Sequence, residues 1–67
     1  MAVAKVSEIS ATSATGFEDA IKQGIGRANK TLRNIKRAWI KEQHVRVEQG
    51  TIKEYQVNMM VTFILED

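Results

Sequence analysis

Two side chains in this sequence, Trp39 and Gln56, have the chemistry to read a small planar ligand. Trp39 is the only tryptophan, and its flat amphipathic ring serves either as a core anchor or as a stacking platform. Gln56 carries an amide that donates and accepts at once, in the middle of a regularly alternating segment. A string of cations, Lys22, Arg27, Lys30, Arg33, Lys36 and Arg37, follows acidic Glu18 and Asp19 with no acid among them. That gradient either complements a helix dipole or builds an anion-binding surface where several copies meet around an axis. Catalysis finds little support. The chain has no cysteine, no glycine-rich phosphate loop, no Ser/His/Asp set and a single histidine, His44, so no enzyme is expected. Alone, His44 makes neither a triad nor a metal site. Glu42, Glu48 and Glu54 read as surface charges near strand ends, although one acid per subunit could gather about an axis and collect cations.

The elements that must hold these groups belong to a small protein. Its 67 residues are expected to form one domain, 1–67. A chain of this length buries only roughly 60% of its unfolded surface and is marginal alone. Disulfides and thiolate zinc are excluded by the missing cysteines, which leaves oligomerisation as the stabiliser. A content of 43% hydrophobic and 27% charged residues is that of a folded protein. No apolar run approaches the ~18 residues that cross a bilayer. Met1-Ala2-Val3-Ala4-Lys5 does not read as a signal peptide, so a cytoplasmic protein without a membrane partner is expected. A net charge of +2 is too weak to argue for nucleic acid.

Val3 to Ile9 reads as a strand, and the polar run Ser10 to Gly16 as a loop. Thr15-Gly16-Phe17-Glu18 fits a capping box, with Thr15 as N-cap and Glu18 reaching back. Phe17, Ala20, Ile21, Gly24, Ile25, Ala28, Leu32 and Ile35 then form one helical stripe. Gly24 lies on that stripe, where a missing side chain lets a strand come close. Ala38 to Glu48 reads as a second strand, with a change of apolar parity that predicts a bulge near Gln43-His44. Gln49-Gly50 marks a hairpin turn. In the last strand Tyr55, Val57, Met59, Val61, Phe63 and Leu65 alternate with Gln56, Asn58, Met60, Thr62, Ile64 and Glu66. The order is β-α-β-β, an α+β fold with a three-stranded antiparallel sheet and one helix. The odd-numbered residues of the last strand should pack on the helix. The even-numbered face, with Ile52, Met60 and Ile64 beside Gln56 and Asn58, is left for other subunits, so Gln56 is an interface or ligand residue.

Thr12-Ser13, Phe17-Glu18-Asp19-Ala20-Ile21, the run Arg27 to Ile35 and Lys53-Glu54-Tyr55-Gln56-Val57, with Val61-Thr62-Phe63, together resemble the dodecin family over essentially the whole chain. The resemblance implies a sheet wrapped around the helix and a homododecamer enclosing a hollow centre. It also implies a non-enzymatic role in storing or buffering flavin, riboflavin or FMN, stacked at subunit interfaces. Family members sandwich the isoalloxazine ring with a strand tryptophan and hydrogen-bond its polar edge with a glutamine. Some hold coenzyme A or ions on symmetry axes. Carried onto this chain, the glutamine falls on Gln56 and the tryptophan position on Arg37, with Trp39 two residues later. Arg37 and Trp39 then face one side, about 6–7 Å apart along the strand. The resemblance thus points to Gln56, Arg37 and Trp39 as cofactor-binding residues. Thr62 stands where a glycine is usual, and His44-Val45 replaces an Arg-Gly pair. Such departures resemble a branch without the flavin tryptophan that is associated with calcium or other ions, which makes a flavin-free, calcium-binding or structural shell the alternative. Arg37 can still stack on a ring, and its charge favours the phosphate of FMN over neutral riboflavin.

Overall fold

The computed structural model describes residues 3–65. It contains β1 (Ala4–Ser13), α1 (Phe17–Leu32), β2 (Ile35–Glu48) and β3 (Thr51–Ile64), in the predicted order. The sheet is antiparallel throughout with strand order β1-β3-β2, so β3 is central. Its odd-numbered residues form the core: Val57, Met59 and Val61 are completely buried and Phe63 nearly so. Ala20 of the helix joins them, with Ile9, Ala11, Phe17, Ile21 and Ile25 packed around. Full burial of a valine, methionine or phenylalanine side chain contributes roughly 1.5–3 kcal/mol. The Phe17 ring meets Tyr55 edge-to-face at 5.1 Å. Gly24 sits where the stripe presses on the sheet: a Cβ there would lie 2.7 Å from Met59 Cε and 2.9 Å from the Ala11 Cβ.

Four local expectations are corrected. The polar run after Ile9 is no loop as far as Ser13, because β1 pairs with β3 without a break from Ala4 opposite Ile64 to Ser13 opposite Tyr55. The long partner satisfies the backbone of Ser10–Ser13 whatever their propensity. The capping box is not formed. Gly16 is the N-cap and makes no side-chain cap, while Glu18 pairs with Lys22 at 3.1 Å. Nearly buried Ser13 does the work, accepting from Thr15 N–H at 2.9 Å and donating to Asp19 Oδ2 at 2.6 Å. The helix ends at Leu32, not Ile35, since Arg33 and Asn34 both take positive φ (58° and 52°) and turn the chain into β2. Lys36 and Arg37 therefore leave the helix for the strand. Finally, the break in register lies between Ile40 and Glu42, at Lys41, and not at Gln43-His44. Further shifts occur between Ile35 and Arg37 and between Arg46 and Val47. Glu66, the end of the predicted alternation, lies outside the described residues.

A helix of 16 residues spans about 24 Å, whereas strands of 14 residues reach nearly 48 Å. The helix consequently covers only part of the hairpin, and β2 is exposed beyond Ile35. The chain is elongated, 52 × 19 × 13 Å. Among the described residues no helix is long and apolar enough to cross a membrane.

Candidate functional site on the uncovered sheet face

Residues directly opposite in an antiparallel pair project to the same side. Across β2 and β3 the face turned from the helix carries five rungs: Arg37 with Thr62, Trp39 with Met60, Glu42 with Asn58, His44 with Gln56, and Arg46 with Glu54. From the other flank β1 adds Ser10 opposite Asn58 and Thr12 opposite Gln56. The bulge at Lys41 makes this stripe. It keeps Ile40 and Val45 on the helix side, opposite Met59 and Tyr55, and lines up Arg37, Trp39, Glu42 and His44 on the other.

Arg37 and Trp39 are neighbours on this face, as their spacing predicts. Trp39 is half-exposed and Arg37 exposed. Neither the indole N–H nor the guanidinium has a hydrogen-bond or ion-pair partner among the described residues. Gln56 is separated from Trp39 by the Asn58–Glu42 rung, about 14 Å along β3. The three predicted residues thus share a stripe, but within one subunit Gln56 does not meet the other two.

What Gln56 does meet was hidden in the sequence. Its Nε2 donates to Ser10 Oγ and to Asn58 Oδ1, both at 3.1 Å. Ser10 Oγ donates to Asn58 Oδ1 at 2.8 Å, and Asn58 Nδ2 donates to Glu42 Oε1 at 2.8 Å. His44 Nε2 lies 3.7 Å from the same carboxylate oxygen. Lys41 donates to Glu8 across the sheet at 3.2 Å. Glu42, expected near a strand end, therefore stands mid-strand in a polar network. The Asn58 amide holds its carboxyl below the usual range; desolvation opposes this, and the charges of His44 and Lys41 assist. The signal for Glu42 and His44 was the parity change between Ile40 and Val45. Placed at Lys41, it puts both on the same face as Trp39, with Glu42 on the next rung. Ser10 gave no signal, since its segment read as a loop.

A groove of about 490 Å³ lies elsewhere, between α1 and edge strand β1, with Gln23, Gly24, Arg27 and Thr31 on its helical wall. None of Arg37, Trp39 or Gln56 lines it, so shape and ring-binding chemistry point to different places. The chemistry favours the open face, which is what a site completed by a second subunit leaves on one chain. Among the described residues no three His, Asp or Glu side chains come together to hold a metal.

Comparison with known proteins agrees with the topology. The family described as Dodecin matches residues 3–66. A dodecin of Thermus thermophilus is 40% identical over 65 residues, covering 97% of this chain and 94% of the relative. The crystal structure of an arginine-to-alanine variant of T. thermophilus dodecin superposes with a TM-score of 0.94 at 39% identity over all of both chains. The calcium-chelating immunodominant antigen of Mycobacterium tuberculosis, calcium dodecin, superposes with a TM-score of 0.82 at 32% identity, covering 96% of this chain and 91% of that one.

Proposed function

The chain belongs to the dodecin family, and from that premise we propose that it is a non-enzymatic homo-oligomer that binds and buffers flavin, riboflavin or FMN, at subunit interfaces. In this reading residues 1–67 are one domain, twelve subunits close into a hollow shell, and the particle works in the cytoplasm. The stripe on the uncovered sheet face carries the reading. An isoalloxazine ring needs a flat contact for its face and hydrogen-bond partners for its pyrimidine edge. Trp39 supplies a half-exposed indole, Arg37 an exposed guanidinium, and Gln56 an anchored amide. A second subunit supplies the other wall. The charge of Arg37 favours a phosphate-bearing ligand, so FMN is preferred over riboflavin, and coenzyme A competes through its phosphates. Titrating ligand-free protein with riboflavin and with FMN, while following flavin emission, tests this. Quenching is expected for both, stronger for FMN; unquenched emission of both at micromolar protein sinks the flavin reading.

A second reading keeps the shell and replaces flavin with cations. Glu42 favours it, because its carboxyl is held ionised on the open face, as does the likeness to a calcium-chelating relative. Three ligating groups do not gather in the described residues, so each ion would be shared by carboxylates of several subunits. A colourless, assembled preparation whose melting temperature rises with calcium is its expected signature. No shift with calcium removes the ion component.

A further inference from the structure

Which end of the Gln56 amide faces a ligand decides what that ligand must offer. The neighbours determine it. Glu42 Oε1 accepts from Asn58 at 2.8 Å, and an ionised carboxylate has no proton to give, so the nitrogen of Asn58 must be the atom facing it. Asn58 Oδ1 is thereby turned the other way, toward Ser10 Oγ at 2.8 Å and Gln56 Nε2 at 3.1 Å. With the Gln56 amide reversed, two carbonyl oxygens would meet lone pair to lone pair. The Gln56 nitrogen is therefore held inward, where Ser10 Oγ accepts from it as well. Because those two acceptors are only 2.8 Å apart, one N–H can be shared between them. Gln56 Oε1 has no partner among the described residues and is the acceptor left facing out.

From this chain of contacts we infer that Glu42 is a positioning residue that orients the Gln56 amide through Asn58, so that the site selects planar ligands presenting an N–H donor at the edge that meets Gln56. The inference rests on the ring-binding reading above and adds the polarity of the ligand's edge. An imide edge, an N–H between two carbonyls, meets the requirement; the same ring methylated on that nitrogen does not. The other charged groups on this face are Arg37, Lys41 paired with Glu8, His44 beside Glu42, and Arg46 paired with Glu54. No hydrogen bond among the described residues joins any of them to Gln56.

Two measurements test it, one of them independent of any ligand. Neutron diffraction from ligand-free crystals exchanged into heavy water at neutral pH locates the amide deuterons directly. They are expected on the Gln56 atom that faces Ser10 and Asn58; deuterons on the outward atom overturn the assignment. The second measurement titrates lumiflavin and N3-methyl-lumiflavin against the intact assembly of wild type, Glu42→Gln and, as a charge-loss control, Glu48→Gln. Wild type and Glu48→Gln should prefer the N–H ring roughly tenfold, the worth of one hydrogen bond. In Glu42→Gln the neutral amide can face Asn58 either way round, and the preference should fall to roughly twofold or less. Equal binding of both rings by wild type, or an undiminished preference in Glu42→Gln, overturns the inference. Failure of both rings to bind overturns the ring-binding reading instead, and the neutron result then decides the amide by itself.

Discussion

A guanidinium beside an indole makes a different platform from an indole alone, stacking with less area and adding a fixed charge. Arg37 and Trp39 occupy successive outward positions of β2, neither of them hydrogen-bonded among the described residues. Replacing Arg37→Trp should therefore tighten riboflavin about tenfold or more, by removing charge and adding stacking area, and abolish the preference for FMN in the same quenching assay. Unchanged riboflavin affinity would show that the ring never reaches position 37. Glu42 has a measurable pH signature. Its folded pKa lies below the ordinary value, chiefly through the Asn58 hydrogen bond, so on acidification the unfolded chain takes up its proton first. The stabilisation is fully present above about pH 4.3, the unfolded value, and disappears as pH falls through the folded one. At fixed protomer concentration, the gap in urea midpoint between wild type and Glu42→Gln should be present at pH 7 and narrow progressively as pH falls below about 4.3. A constant gap would show that the carboxylate is not specially held. Gln56 was legible in the sequence because β3 alternates cleanly from Tyr55 onward, which fixes its side. Glu42 and His44 were not, since one extra residue at Lys41 changes the side of everything before it relative to everything after.

Among the elements, the body of α1 and β3 from Tyr55 onward could be read because each carries one unbroken period. Their ends could not. Non-glycine residues at positive φ, such as Arg33 and Asn34, are uncommon and have no reliable sequence mark, so the helix was carried one turn too far. The N-terminal cap moved for a comparable reason: Ser13, placed by its pairing with Tyr55, reaches the turn before Thr15 can. Two glycines of α1 give a controlled comparison. Gly26 has open space where a Cβ would go, and Gly26→Ala should stabilise the fold by about 0.5–1 kcal/mol through helix propensity. Gly24 has the same propensity to gain, but its Cβ would press on Ala11 as well as on the movable end of Met59. Overpacking of about 1–3 kcal/mol should more than offset the gain, so Gly24→Ala is expected to lower the urea midpoint while Gly26→Ala raises it. Equal shifts in both would mean that the helix can ride away from the sheet without loss.

At the scale of the whole molecule, one helix cannot cover a hairpin twice its length, and the consequence is exposed apolar surface on both sides of the sheet. Trp39 is exposed on the outer face, while Ile40 and Val45 are exposed on the side that the helix fails to reach. Val47 and Ile52 extend that surface toward the turn. A lone subunit of 7.6 kDa with so thin a core, five buried apolar residues among those described, has little stability in reserve. Assembly and folding should then be coupled, with a melting temperature that rises with protomer concentration. A charge placed in the exposed apolar surface separates this from simple destabilisation. Ile40→Lys lies on the helix side of β2 yet outside the helix's cover, so it disturbs little within one subunit but cannot be buried against a neighbour without partner or water. Light scattering on wild type at micromolar concentration is expected near twelve times the chain mass. For Ile40→Lys a much smaller species is expected, with a melting temperature close to that of wild type at high dilution. A wild-type mass of one chain would refute assembly altogether. Full-size particles from Ile40→Lys would place the intersubunit contacts on the outer face alone, and Trp39 would then be the anchor to remove next.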